Sequence, residues 1–199
     1  MRPGPPRLRR RTKIGGEGSP EVFCADEQNE MAIDLERWQT LARRVLESEG
    51  VRGGTELSVF FVSSDEMAAL NAEHMGATGP TDVLSFPIDG GAVVEVDLGG
   101  GSRGPDRPEP DRSDLPVLLG DVVICPGVAR AQAPVHAGNL DDELALLVVH
   151  GVLHVLGWDH RDDQERAAMW QRQRDLLIEH HWHGPAPDSY RADLEDHPS

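Results

Sequence analysis

The stretch that most constrains this chain of 199 residues runs from Glu143 to His160. Leu144 to Leu156 is apolar nearly all round, so a helix built from it belongs inside a core. Two histidines interrupt the run. His150 and His154 are four residues apart, which places them on one face, one turn from each other. Gly157 is positioned to end the helix in a left-handed conformation, and the chain that turns back from it carries His160. Burying imidazoles among Val and Leu without a ligand would cost several kcal/mol in unsatisfied polar groups. Three converging imidazoles can instead hold a divalent ion at about 2.0–2.1 Å and leave a fourth position open, the layout of a catalytic zinc site. The expected ligands are His150, His154 and His160, with one Zn2+ per chain.

The rest of the sequence supplies a setting for that helix. Glu21–Ala25 reads as a short strand, and Asp34 as the cap of a helix to about Glu49 with Leu35, Trp38, Leu41, Ala42, Val45 and Leu46 on one face. Glu56–Val62 is β-branched and aromatic, a buried strand. Ser63 or Ser64 caps the next helix, and Thr81–Phe86 is a strand stopped by Pro87. Pro116–Ile124 is a further strand, and Pro126 opens a helix as its first residue. Asn139 or Asp141 caps the histidine-bearing helix, and Asp162 or Asp163 caps a last one to about His181. This order implies a single α+β domain, a mixed β-sheet packed around the central buried helix. Its expected extent is residues 21–183. Residues 1–20, rich in Pro, Gly and Arg, read as a disordered basic extension, and 184–199 as a disordered acidic tail. Residues 89–115 read as a flexible loop, with Ala92–Leu98 as a possible strand within it.

Charge and cysteine content set limits. Nineteen Lys and Arg against 35 Asp and Glu give a formal net charge of −16, which argues against DNA and against indiscriminate nucleic-acid binding. A local cation can still reverse the sign of the potential at one site. Cys24 and Cys125 have neither metal-ligand nor redox spacing and are expected to be reduced thiols. No run approaches the roughly 18 apolar residues of a membrane span. The basic N-terminus also lacks the apolar core of a secretory signal, so a cytoplasmic location is expected.

The histidine spacing equals that of the metzincin peptidases, H-E-x-x-H-x-x-G-x-x-H. Their glutamate, the base of peptide hydrolysis, falls at position 151, and here that residue is Gly151. A metallopeptidase would need a carboxylate from elsewhere. The pattern His150-Gly151-x-Leu153-His154-x-x-Gly157-x-Asp159-His160 instead resembles the signature of the YbeY family, bacterial zinc-dependent endoribonucleases. Two further blocks carry the same resemblance in the same order: Leu70-Asn71 followed by Pro80–Pro87 (PTDVLSFP), and Leu119–Cys125 (LGDVVIC). Together they cover about Val22 to His181.

The resemblance implies a single-strand-specific endoribonuclease of rRNA maturation, at the 16S 3′ end, and of ribosome quality control. It implies ribosomal RNA and the small ribosomal subunit as partners. Asp159, beside His160, is a candidate catalytic residue, either orienting an imidazole or carrying a proton, and equally a simple helix-exit aspartate. Asp82 and Ser85 lie on the strand that in the family runs beside the metal helix, so the backbone of Leu84–Phe86 is expected to line the substrate groove, with Asp121 a structural partner. The chain departs from the family where many members carry an arginine toward RNA phosphate. The matching residue is Met75, next to His74, and methionine supplies no charged fork. A ribosome-associated assembly factor that uses its zinc structurally is therefore the alternative reading. His180, His181 and His183 suggest a second cluster, but adjacent histidines point to different faces.

Overall fold

The computed structural model describes residues 17–88, 116–160 and 162–191. Most of the expected N-terminal extension, the whole of the expected 89–115 loop with its Ala92–Leu98 strand, and residues 192–199 lie outside the described residues. The elements in chain order are β1 (Glu21–Asp26), α1 (Leu35–Ser48), β2 (Thr55–Phe61), α2 (Ser64–Met75), β3 (Val83–Pro87), β4 (Val117–Ile124), α3 (Pro126–Gln132), α4 (Leu140–Val155) and α5 (Asp163–Leu177). A single π-helical turn, Ile178–Trp182, continues from α5.

The strands form one mixed sheet in the order β1-β2-β4-β3. The β1–β2 and β2–β4 pairs are parallel, and β3 runs antiparallel to β4. The architecture is thus the α+β fold expected from the element order. Local side-chain hydrogen bonds decide where the helices begin. Asp34 accepts from the Arg37 backbone N–H, and Ser63 forms a reciprocal capping box with Glu66. Of the paired candidates, Ser63, Asn139 and Asp162 are the caps in use.

Side-chain alternation along the strands separates two apolar layers. Leu57, Val59 and Phe61 of β2 and Val122 of β4 join the main core with α1 and α4. Val123, the next residue on β4, belongs to a smaller cluster with Met67 of α2, Leu84 of β3 and Cys125. Helix α4 is the hub of the main core: from Leu144 to Val149 every residue is buried. Glu143, at its first turn, is fully buried as well. Its carboxylate accepts from the Ala137 N–H and pairs with His136 Nδ1 at 3.2 Å, tying the preceding loop to the helix. Cys24 and Cys125 are free thiols, as expected. Among the described residues no helix is long and apolar enough to cross a membrane.

Several element ends shift by one residue from expectation, and three departures are larger. Strand β3 begins at Val83, two residues later than expected; the Asp82 carboxylate accepts from the Val83 N–H at 2.8 Å, and the Asp82 carbonyl accepts from the Cys125 N–H at 2.8 Å. Helix α5 widens into the π-helical turn at Ile178 instead of running on as α-helix to His181. The described part of the tail expected to be disordered, 184–191, is packed against the domain. Tyr190 is 5% exposed and joins the main core, and the Arg191 N–H donates to the His136 carbonyl at 2.6 Å. Composition misleads here because it does not report the specific contacts, a buried aromatic ring and backbone hydrogen bonds to the domain, that hold this short segment.

Gly120 lies on the interior strand β4, paired with Leu57 of β2 on one side and Pro87 of β3 on the other. Its φ of +143° is poorly suited to residues with a Cβ, and a Cβ there would sit 2.3 Å from the Phe86 carbonyl oxygen across the β3–β4 pair. Gly120→Ala is expected to lower stability by about 1–3 kcal/mol in urea denaturation, because the backbone, and not a flexible side chain, must move.

Candidate metal centre

Helix α4 presents His150 and His154 one turn apart. The helix then ends in Gly157, at φ +84°, with the Gly157 N–H donating to the His154 carbonyl and the Trp158 N–H to that of Leu153. This turn folds the chain back so that His160 faces the other two. One ligating nitrogen from each of the three rings lies within 4.8 Å of the others, and all three residues are half-buried. The cluster therefore opens to solvent on one side, whereas the helix that carries it is otherwise enclosed.

The ring nitrogens have distinct tasks. His154 Nδ1 lies 3.1 Å from the Trp158 carbonyl oxygen, which only accepts, so Nδ1 carries the hydrogen. His150 Nδ1 lies 3.0 Å from Gln173 Oε1 and donates likewise. Both Nε2 atoms are left as lone-pair acceptors, and they face each other at 3.0 Å. Two lone pairs at that distance repel unless a cation lies between them. Burial pushes the His154 pKa below its usual value, and the neighbouring His160 adds to this. The Trp158 carbonyl and Asp159 act in the opposite sense. A proton is thus a poor candidate for that cation. The donor set, three imidazoles with two tautomers set by hydrogen bonds, suits zinc.

Gly151 has a mechanical reason to be glycine. A Cβ on it would lie 2.4 Å from Val122 Cγ1 and 3.3 Å from Ser85 Oγ, because α4 rests directly on β4 and β3 at this point. The position where a metzincin places its glutamate has no space for a side chain. Ser85 Oγ donates to the Gly151 carbonyl at 3.3 Å and so clips β3 to the histidine-bearing helix α4.

The other expected site residues fall as follows. Asp159 accepts from the His160 backbone N–H at 2.8 Å, which shapes the last ligand's turn. Asp82 is buried, its carboxylate turned to Val83 N–H and Thr81 Oγ1. Asp121 is paired opposite Phe86 on β4. Met75 ends α2 and is 57% exposed, whereas His74 packs edge-on against Phe86 of β3, with centroids 4.9 Å apart. The C-terminal histidines do not converge. His180 meets Ser48 Oγ, His181 meets Asp142, and His183 meets the Glu179 carbonyl.

Sequence reasoning missed the residues that hold the three histidines in place. Glu49, at the end of α1, has a side chain only 2% exposed; it accepts from Trp158 Nε1 at 2.9 Å and pairs with Arg172 Nε at 2.7 Å. The turn between His154 and His160 is thereby anchored to two helices. Gln173 and Tyr190, which back His150, were equally invisible, because a glutamine on a polar helix and a tyrosine in a Pro-rich tail give no periodic signal.

The family model described as Endoribonuclease YbeY matches residues 23–181. The chain belongs to the YbeY family. Curated relatives named Endoribonuclease YbeY include one from Mycobacterium sp. (strain KMS), 42% identical over 169 residues, covering 84% of this chain and 88% of that protein. Another, from Salinispora tropica, is 45% identical over 145 residues, covering 73% and 87% respectively. A solution structure of a Thermotoga maritima protein matches with a TM-score of 0.51 at 23% identity, over 88% of this chain and 99% of that one, a likeness of fold. The stretch matched to the YbeY family model runs from within β1 into the π-helical turn. It therefore contains the three histidines, Glu49, Trp158 and Gln173, and stops short of Tyr190.

Trp158→Phe removes the indole donor to Glu49 while retaining the backbone carbonyl that faces His154. It is expected to cost about 1.5–3 kcal/mol of stability in chemical denaturation of metal-free protein, the range for a hydrogen bond to a charged, buried group.

Proposed function

We propose that this YbeY-family chain is a zinc-dependent, single-strand-specific endoribonuclease that acts in the cytoplasm on ribosomal RNA, in maturation of the 16S 3′ end and in ribosome quality control. The observation that carries the metal half of this reading is the pair of Nε2 lone pairs facing each other at 3.0 Å, with both Nδ1 atoms committed to oxygens. The names of the relatives carry the RNA half.

In this reading His150, His154 and His160 hold one zinc. Bound there, zinc supplies Lewis acidity, making hydroxide available near neutral pH and offsetting charge on a phosphoryl oxygen. The chain's own residues do the remainder. Asp159, held beside His160 by its bond to the His160 N–H, is positioned to carry a proton. Strand β3 is the last in the sheet order and is clipped to α4 through Ser85, so the backbone of Leu84–Phe86 forms one wall of a groove along the half-buried histidines. Single-stranded RNA fits such a groove because its unstacked bases can splay outward. The small ribosomal subunit is the proposed partner.

One observation favours a second reading, a ribosome assembly factor whose zinc only holds a surface. Met75 stands exposed where many family members place an arginine, on a chain of net charge −16. A peptidase is disfavoured by the closed space at Gly151.

Cleavage of single-stranded rRNA fragments by wild type and by His154→Ala separates these readings. An endoribonuclease should lose at least about 100-fold in rate on loss of one ligand, and chelation followed by zinc add-back should abolish and then restore wild-type activity. Wild-type protein that cleaves nothing yet co-sediments with small subunits would support the assembly factor and overturn the enzyme.

A further inference from the structure

Beyond the three histidines, the structure holds a chain of contacts that leads from His150 past the stretch matched by the family model, residues 23–181. Gln173, on α5, is 1% exposed. Its Oε1 accepts from His150 Nδ1 at 3.0 Å, and its Nε2 donates to the Tyr190 hydroxyl at 3.2 Å. A carboxamide presents different chemistry at its two ends, so its orientation matters. With the oxygen toward His150, the imidazole keeps its hydrogen on Nδ1 and presents a bare Nε2. Turned over, Gln173 would offer an N–H to Nδ1, and the hydrogen would move to Nε2, the atom a metal needs.

We propose that the segment around Tyr190 is part of the metal centre, with Tyr190 acting as a positioning residue that, through Gln173, holds His150 in its metal-ready tautomer; this rests on the zinc reading above. Tyr190 is the only tyrosine in the chain and lies outside the matched residues 23–181. Its seat is built, not incidental. Trp182 meets its ring edge-on at 5.0 Å, and the Arg174 guanidinium lies 5.9 Å from the ring centroid. The Tyr190 N–H donates to the Pro187 carbonyl, closing a turn. Ser189 packs so closely on Gly138 that a Cβ there would lie 2.4 Å from its hydroxyl oxygen, and Arg191 bonds the His136 carbonyl. His136 in turn pairs with Glu143, two turns before His150 on α4. The tail therefore grips both the start of the metal helix and the residue behind its first ligand.

The test measures zinc affinity of the full chain by competition with a chromophoric chelator, together with the ring-nitrogen NMR spectrum of zinc-free wild type. Zinc-free wild type should show His150 as the Nδ1–H tautomer. Tyr190→Phe, which removes only the hydroxyl, should weaken zinc binding about 10-fold. Gln173→Leu should weaken it by up to about 100-fold, the span seen when supporting partners of metal ligands are removed. Gln173→Glu keeps an acceptor toward Nδ1 and should bind zinc within a few-fold of wild type, while zinc-free Tyr190→Phe should show His150 shifted toward the Nε2–H tautomer, which a merely structural role would not produce. Wild type that binds one zinc, with Tyr190→Phe and Gln173→Leu within about twofold of it, overturns this proposal alone. An Nε2–H tautomer at His150 in zinc-free protein does the same. Wild type that binds no zinc overturns the metal reading and this proposal with it.

Discussion

Everything in this protein depends on how closely α4 lies on the sheet. At Gly151 the helix meets Val122 and Ser85 with no space for a methyl group. That contact sets the height of α4 over β3 and β4, and hence where the next residue on either side, His150 included, can reach. A helix buried from Leu144 to Val149 is hard to shift, because protein interiors are close-packed and leave little room to absorb the motion. Two imidazoles on such a helix are held with the rigidity of the core itself. The third imidazole, His160, comes from a turn and needs other fixtures: Gly157 to reverse the chain, Asp159 on the His160 N–H, and Glu49 gripping Trp158.

The same closeness separates this chemistry from peptide hydrolysis. The ligand spacing is shared with the metzincins, yet the base they carry at position 151 is sterically impossible where α4 touches Val122. With the ligand pattern shared, what differs is which carboxylates the fold admits nearby. The one carboxylate adjacent in sequence to any of the three histidines is Asp159, next to His160.

Much of this was legible in the sequence, and the reason is locality. The caps at Asp34, Ser63 and Asn139 are bonds between residues three apart, and the His150–His154 pair and the break at Gly157 follow from helical geometry. The mixed sheet followed from strands that read as apolar runs bounded by Gly and Pro. The supports of the site were not legible because they join distant positions. Gln173 is 23 residues from His150, Tyr190 is 17 from Gln173, and Glu49 is 109 from Trp158. Glu49 in particular read as the polar end of an amphipathic helix, whereas the folded chain buries it against Arg172. Tyr190 was hidden by its neighbours, since the Pro and acidic residues around it signal disorder more strongly than a lone aromatic signals burial.

The central claim is that the three histidines form one zinc site. It is tested most directly by metal content, measured by plasma mass spectrometry on untagged protein prepared without chelators, wild type beside His150→Ala. The account predicts about one zinc per wild-type chain and its loss in the variant, with the variant still folded by circular dichroism. Wild-type protein with no bound metal, or a folded His150→Ala that retains a full equivalent, would contradict it.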